Sequence, residues 1–502
     1  MKASELLSYL KMKQINGDIS ELEINYLSQN SRDIQDDTLF FCVVGETVDG
    51  HNYAAKAYEA GASLFVASKP IDDQVGDKPV VYVKDVKRAM AMLANAFYGF
   101  PSQDLNMFGV TGTNGKTTVT HLIECIYRGQ GQKTGLIGTI YRKIDDQIFD
   151  TVNTTPDSLL MQATLAQMVE AGVSMCASEV SSHALFQGRT WGVDFNTAVF
   201  TNLTHEHLET HKTMEEYGTV KSLLFSQLGN SSKGGRQRFA VINLDDPFSK
   251  TLAYRTAAQV VSYSLANQDA DFYTSDLNYA VDGTEFTLHF QNEVYPVTIP
   301  LVGEFNVSNT LAALGAAYVN GIDLSAAIDS LRDFKGISGR MQVIANPLGI
   351  NAIVDYAHTP DGLEKLYIAL KQIPHKRLIT MIGHDGGNRD NSIRPELGRL
   401  ALENSDWVVL TTENPRDEDP RKIMVEMVGS TNLTNHEYVE DRKEAIYRTV
   451  ALAEAGDLIV FAGKGHESVQ YLNGYSVAFD EAGYVAQALQ ERQASENGGN
   501  LS

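Results

Sequence analysis

Short apolar runs broken by polar residues or glycine set the rhythm of this chain. In the first hundred residues "TLFFCVV", "ASLFVAS" and "PVVYVK" have the length and composition of strands, and "YAAKAYEAGA" between them has helical spacing. This alternation predicts a small α/β unit. The opening "MKASELLSYLKMKQ" places Leu6, Leu7 and Leu10 on one face of an amphipathic helix. A Gly-Pro-Ser break in "YGFPSQDLN" predicts a boundary at residues 101 to 105. Beyond it, "VSMCASEV", "TAVFTNL" and "RFAVINL" continue the α/β pattern, followed by a more β-rich patch, "EFTLHFQNEVYPVTIPLV". After "LRDFKGISGRMQVI" a new series begins with "NAIVDYA", "RLITMIG", "WVVLTTE" and "DLIVFAG", each ending in polar residues or glycine. Such runs predict parallel strands buried on both faces, with ligand groups gathered beyond their C-terminal ends. The final "QERQASENGGNLS" has almost nothing to bury and reads as a frayed tail.

Composition narrows the classes. A chain of 502 residues exceeds one ordinary core, so several domains are expected. The apolar fraction is 43%, and no apolar run reaches the roughly 18 residues of a membrane span. The opening helix lacks the apolar core and cleavage site of a secretory signal, so the expected location is the cytoplasm. A net charge of −22 argues against nucleic acid on a broad surface; an anionic ligand must be gripped locally. Cys42, Cys125 and Cys176 lie far apart without metal or redox spacing and read as small buried hydrophobes.

The chemistry starts at "GVTGTNGKTTVTHL", residues 109 to 122, where an apolar strand runs into a helix. A Gly-rich turn before a helix N-terminus aims several backbone N–H groups, and the positive end of the helix dipole, at one point. Gly112, Thr113, Asn114, Gly115, Lys116, Thr117 and Thr118 would cradle phosphates in this way. Lys116 would reach the β- and γ-phosphates of ATP and Thr117 would bind Mg2+. Counted from Gly109, the loop is one residue longer than the ordinary P-loop. Glu179 ends the strand "VSMCASE" as a carboxylate placed to share the metal with Thr117. Further on, His205, Glu206, His207, Glu209 and His211 crowd one loop. Zinc, a solvated polar loop and a second metal site beside the P-loop are all open readings; the neighbourhood favours the last.

The order of "GTNGKTT", "EVSSH", "HEHLETH", "EEYGTVKSLLF", "GEFNVSNTLAA", "SGRMQVI", "DYAHTPDGL", "ENPRDEDP" and "AGKGHE" resembles the Mur ligases of bacterial cell-wall synthesis over essentially the whole chain. The likeness is strongest to the branch that adds a diamino acid. It implies an α/β, three-domain Mur ligase architecture: residues 1–104 bind the uridine nucleotide, 105–332 form a central P-loop domain, and 333–502 form a C-terminal Rossmann-like domain that closes over ATP and brings the amino acid. ATP and Mg2+ are the implied cofactors, UDP-N-acetylmuramoyl-dipeptide and a diamino acid the implied substrates, and a monomer the implied state. An acyl phosphate would form on the D-glutamate γ-carboxylate, and the amino group would then displace phosphate.

The same resemblance assigns roles residue by residue. Lys116, Lys221 and His207 are implied to be catalytic, with Thr117 and Glu179 around one Mg2+ and His207 and Lys221 around another; Lys221 would carry a carbamate. Glu206, Glu209 and Lys212 stand where the family has Asp, Asp and Gly. Asn306, Asn309, Arg340 and Asp355 would meet the adenosine end of ATP. Asn306 and Asn309, at i and i+3 near a helix start, could share one ligand, and a helix cap is the alternative for Asn306. Asn153, Thr154, Thr155, Ser181, Gln187 and Arg189 would hold the muramoyl-dipeptide, although Pro156 also makes Thr155 a candidate cap. Ser31, Arg32 and His51 resemble the uridine contacts.

For the amino acid, Glu413, Asn414 and Arg416 of "ENPR" resemble the diaminopimelate signature, in which the arginine grips the distal carboxylate. Arg389 would hold the other carboxylate, and Gly463 and Glu467 would take the distal ammonium. Diaminopimelate is favoured over L-lysine, whose bare ammonium Arg416 would repel. Glu413 in place of Asp, and the altered "GHDGGNRDNSIRPELG", are departures from the pattern. A folylpolyglutamate synthetase shares the loop and the acyl-phosphate logic but lacks "ENPR" and "GKGHE". A non-catalytic scaffold would have lost phosphate or metal residues, and none is missing.

Overall fold

The central strands, among them Leu64–Ala67, Thr197–Phe200, Phe239–Asn243, Leu378–Ile382 and Leu458–Ala462, are mostly apolar and buried at every position. The computed structural model describes residues 1–45, 48–204, 211–229, 235–280, 282–387 and 390–499, with side chains to 496. Two compact units emerge: Met1–Ser262 with Ala312–Asp323, and Tyr263–Leu311 with Leu324–Ser502.

The first unit holds two sheets. Its N-terminal sheet has the spatial order Gln14–Asn16, Val80–Tyr82, Leu64–Ala67, Thr38–Phe41, Tyr26–Ser28 and is parallel except at the first pairing. Leu39, Phe41, Leu64 and Val66 face one core and Phe40, Phe65 and Ala67 another, because successive side chains leave a strand on opposite faces. The predicted opening helix is shorter than its pattern suggests. It ends at Leu7, yet Leu6, Leu7 and Leu10 are all buried, since a turn carries Leu10 back to the same core.

In the second sheet Phe239–Asn243, Thr197–Phe200, Asn106–Thr111, Met175–Glu179 and Thr134–Ile137 run parallel in that order. Asn106–Thr111 has neighbours on both sides, so the chain leaving it emerges mid-edge, among the ends of other strands. The second unit includes a β-hairpin, Gly283–Phe290 with Glu293–Ile299, where the β-rich patch was expected. It also contains a sheet of order Gln342–Ile344, Asn351–Asp355, Leu458–Ala462, Leu378–Ile382, Trp407–Leu410, His436–Tyr438, parallel after its first strand. Ile353 and Val460 enter one core while Ala352, Val354, Ile459 and Phe461 enter the other, which is the two-sided burial the continuous apolar runs predict.

Three expectations change. The tail from Gln490 is not frayed over its first part: the helix Glu481–Gly499 runs into it, and the Arg492 guanidinium donates to Val450 O at 2.6 Å. It is anchored by this polar contact and not by apolar burial. Thr155 caps no helix; Asp157 caps Ser158–Glu170 by accepting from Leu159 and Leu160 N–H. Asn306 is not a cap either, since its amide donates backwards to Val302 O at 2.8 Å. Cys42 and Cys176 are buried as expected, whereas Cys125 is half-buried.

Candidate active site

The phosphate loop is shaped by close approach of backbone. Gly109 sits within the strand Asn106–Thr111, where a Cβ would lie 2.9 Å from the Phe195 ring, so this glycine serves packing. The loop proper starts later, which removes the apparent extra residue. Gly112 has φ 152°, and a Cβ there would come 1.9 Å from Thr201 Oγ1. Gly115, at φ 88°, is the N-cap of the helix Lys116–Gly129 and, as a glycine, offers no side chain to cap it. Neighbouring strand ends hold the loop: Asn202 Oδ1 accepts from Asn114 N–H at 2.9 Å and Thr201 Oγ1 donates to Asn114 O at 2.6 Å. Thr118 follows, buried in the first turn.

Two ammonium groups meet here. Lys116 Nζ donates to Gly112 O at 3.0 Å and Thr113 O at 2.8 Å, and Lys221 Nζ donates to the same Gly112 O at 2.8 Å. Lys221 comes from the helix Met214–Ser226, is 1% exposed, and lies 4.5 Å from the centre of the Tyr217 ring. A lysine that looked like helix surface is therefore core. Concentrated positive charge beside a helix N-terminus suits a polyanion.

Glu179 faces this loop from the end of its strand, fully buried. Its Oε2 accepts from Thr117 Oγ1 at 3.1 Å and Thr139 Oγ1 at 3.0 Å, and its Oε1 accepts from Thr139 N–H at 2.8 Å. Gly138 makes room, since a Cβ there would sit 2.5 Å from Oε1. A hydroxyl and a buried carboxylate held together form a hard oxygen donor set of the kind that suits Mg2+. Behind Thr117, His121 donates from Nδ1 to Thr117 O at 2.7 Å and accepts at Nε2 from the Tyr141 hydroxyl at 3.1 Å. Burial pushes this imidazole below its ordinary pKa, so it stays neutral. Thr139 and His121 were both missed from sequence; nothing in their local motif marks them.

The chain segment assigned to the dipeptide substrate reaches Glu179 through that residue's main-chain carbonyl. Thr155 Oγ1 donates to Glu179 O at 2.8 Å and accepts from Ser181 N–H at 3.1 Å, and the Thr154 and Thr139 hydroxyl oxygens lie 3.1 Å apart. Arg189 donates to Thr155 O at 2.9 Å and, through Nε and Nη2, to Gln187 Oε1 at 3.0 and 2.8 Å. Asn153 is exposed at the edge of the group. His205, Glu206, His207 and Glu209 lie outside the described residues. His211 is fully buried, 3.0 Å from Ser182 Oγ through Nε2 and stacked on Tyr217. In the N-terminal sheet region, Ser31 is half-buried and Arg32 exposed. His51 is 4% exposed, donates from Nδ1 to Asp49 Oδ1 at 2.6 Å and accepts at Nε2 from Ser68 N–H at 3.0 Å. Both ring nitrogens are thus engaged by the protein.

The second unit carries the other assigned residues. Both Asp355 oxygens accept main-chain N–H groups, from Met341 at 2.7 Å and Ala357 at 2.8 Å, and burial raises its pKa. The Arg340 guanidinium lies 4.7 Å from the centre of the Tyr356 ring. Asn306 and Asn309 are buried, and Asn309 Nδ2 donates to Asn306 Oδ1 at 3.3 Å. Beyond the strand Trp407–Leu410, Glu413 is 4% exposed, and its Oε2 has no hydrogen-bond partner among the described residues. Burial, helped by the nearby Asp385 charge, pushes its carboxyl up to about 8. Gly463, at φ 105°, would bring a Cβ to 3.3 Å from that oxygen. Asn414 Oδ1 accepts from Lys464 Nζ at 3.1 Å and from Tyr471 N–H at 3.0 Å, which turns its amide nitrogen to Glu467 Oε2 at 3.2 Å. Lys464, fully buried, also donates to Glu467 Oε2 at 3.1 Å. The "GKGHE" motif contained this lysine, but only its burial reveals it as an orienting cation. Arg416, at φ 55°, lies 5.3 Å from the Tyr471 ring centre and 3.8 Å from Asp385 Oδ2. Arg389 lies outside the described residues.

Comparison with known proteins bears on these motifs directly. Residues 23–98 match the Mur ligase family, catalytic domain; residues 110–317 match the Mur ligase middle domain; residues 339–465 match the Mur ligase, glutamate ligase domain. The chain belongs to the Mur ligase family. One relative in that family, the UDP-N-acetylmuramoyl-L-alanyl-D-glutamate–2,6-diaminopimelate ligase of Lactiplantibacillus plantarum, is 45% identical over 97% of this chain and 99% of its own. A solved structure titled as a ligase of the same name aligns with TM-score 0.71 and 32% identity over 97% of this chain and 99% of that one. The MurF ligase of Thermotoga maritima in complex with ADP shares the Mur ligase fold, with TM-score 0.65 at 18% identity over 94% of this chain and 100% of that one. No described helix is long and apolar enough to cross a membrane.

Proposed function

We propose that this Mur ligase joins a diamino acid, meso-diaminopimelate in preference to L-lysine, to the D-glutamate of UDP-N-acetylmuramoyl-L-alanyl-D-glutamate with ATP, in peptidoglycan synthesis. One observation carries the reading: Glu179 is shared, its carboxylate held by Thr117 of the phosphate loop and its main-chain carbonyl by Thr155 of the assigned dipeptide segment. A γ-phosphate on the loop and a carboxylate beside Thr155 would thus be brought together by one residue, and phosphoryl transfer depends mainly on such positioning and on charge neutralisation. The names of the relatives support the substrates.

Lys116 would stabilise the charge on the transferring phosphoryl group, and the N–H groups of Gly115 and the first helical turn would orient it. Thr117 and Glu179, with His207 and Lys221, would hold Mg2+, which supplies screening between the triphosphate and the attacking carboxylate. A carbamate on Lys221 would relieve the repulsion of two ammonium groups at Gly112 O and turn one of them into an oxygen ligand. Arg189, fixed by Gln187, would position the dipeptide. At the other end Arg416 would grip the distal carboxylate of diaminopimelate as a planar fork, with Arg389 on the second carboxylate and Glu413, Gly463 and Glu467 around the ammonium. Residues 1–104, 105–332 and 333–502 are proposed as the uridine, P-loop and amino-acid domains.

Phosphate release from ATP, measured with UDP-muramoyl-dipeptide and either diaminopimelate or lysine, tests this directly. Release that requires all three substrates and runs faster with diaminopimelate is expected. Release with neither amino acid would overturn the ligase reading; faster release with lysine would overturn the specificity alone.

A further inference from the structure

Two assigned amino-acid residues, Glu413 and Gly463, follow strands that are not neighbours. Leu378–Ile382 runs between Trp407–Leu410 and Leu458–Ala462, so no ladder bond joins the two strand ends. At the residues just before Glu413 and Gly463 a guanidinium does, while Lys464 and Asn414, just after them, are joined by their own hydrogen bond. Arg442, the first residue of the helix Arg442–Leu452, donates from Nη1 to Thr412 O at 3.3 Å and from Nη2 to Ala462 O at 3.0 Å. Those carbonyls belong to the residues immediately before Glu413 and Gly463. The guanidinium is itself clamped by Glu481, which accepts from Nε at 2.5 Å and from Nη2 at 2.7 Å, at the start of the helix Glu481–Gly499. Neither side chain is exposed to solvent.

We infer that Arg442, held by Glu481, is a positioning residue for the amino-acid subsite, setting the separation of Glu413 from Gly463. Simple stability does not explain the arrangement, because well-packed apolar residues usually serve stability as well as a buried ion pair does. A planar fork adds geometry: its N–H directions are fixed relative to one another, so holding Glu481 on one edge aims the others at both carbonyls. The separation matters because Glu413 Oε2 approaches the space that a side chain at Gly463 would fill, at 3.3 Å from its Cβ position. The C-terminal helix thereby becomes part of the specificity machinery at a distance. This inference rests on the assignment of Glu413 and Gly463 to the amino acid.

Glu481→Gln and Arg442→Lys in the full chain test it, the first nearly isosteric and the second keeping the charge without the fork. The expected result is a KM for diaminopimelate raised by at least about tenfold, with kcat and the KM for ATP changed by less than about threefold. Amide exchange should accelerate in residues 411–416 and 461–466 and stay unchanged elsewhere in that sheet. All kinetic constants drifting together with thermal stability would overturn the inference, as would folded variants with unchanged exchange and KM, or unfolding by both substitutions. If the unaltered protein turns over with neither diamino acid, the functional reading fails, while the exchange measurement still judges the clamp.

Discussion

The phosphate loop and the amino-acid cluster are both built beyond the C-terminal ends of parallel strands, yet they hold charge in opposite ways. At the loop, Lys116 and Lys221 converge on one carbonyl and the geometry comes from main chain that only glycine permits. In the cluster, Glu413, Glu467 and Asp385 are interleaved with Lys464 and Arg416, and the geometry comes from side chains orienting one another: Lys464 turns Asn414, and Asn414 turns Glu467. A main-chain cradle suits a ligand group that does not vary. A side-chain network is adjustable, which suits one that does.

The contrast predicts different sensitivities. Lys116→Ala should lower kcat by about a thousandfold or more while the far-ultraviolet spectrum and Tm stay close to the starting values, if the ammonium has the proposed role of meeting developing charge. Normal turnover in a folded variant would remove the loop from the chemistry. Lys221→Ala should cost about a hundredfold or more, with partial recovery in millimolar acetate or formate, since a small carboxylate can replace a carbamate oxygen. Loss without recovery would leave Lys221 as a structural cation.

In the cluster the effects should be smaller and selective. Arg416→Ala should reduce kcat/KM for diaminopimelate by at least about tenfold, from the loss of charge-assisted hydrogen bonds, each contributing about 1.5–3 kcal/mol. Lysine should lose little or gain. Equal losses for both substrates would mean that Arg416 shapes the loop instead of reading a carboxylate.

The mildest test uses pH. The Glu413 carboxyl is raised from 4.5 to about 8 by burial and the Asp385 charge, so the folded state binds its proton more tightly than the unfolded chain. Its contribution to stability is therefore full below about pH 4.5 and is lost as the pH rises through 8. Between pH 5 and 8, Tm should fall by a few degrees more in the original protein than in Glu413→Gln, a difference that thermal melts at the two pH values measure. Parallel pH profiles would show that Glu413 is solvated like an ordinary carboxylate.

Much of the Gly-rich turn and its helix start was legible because their requirements are local. A turn that brings N–H groups to phosphate needs glycine at given spacings, so Gly112, Gly115, Lys116 and Thr117 stand together in the chain. The start of the loop was misplaced because Gly109 is kept by Phe195, a residue far along the sequence. Thr139 and His121 escaped notice for the same reason: a lone threonine or histidine becomes informative only when Glu179 or Thr117 is beside it. Thr155 and Asn306 resembled caps because those residue types cap helices, and the side chains turn elsewhere once Glu179 O and Val302 O are within reach.

By itself, the order of apolar runs determined that the strands are parallel and doubly buried, and the motif spacing determined where a Gly-rich turn would open a helix, since period and turn geometry are properties of neighbouring residues. Tertiary structure alone decided that Lys221 is core and not surface, that Lys464 is an orienting cation, and that Arg442 with Glu481 ties together two strand ends. Burial, carboxylate pKa and the sharing of one guanidinium between distant carbonyls depend on which segments fold against one another, and that is set by the packing of the whole sheet.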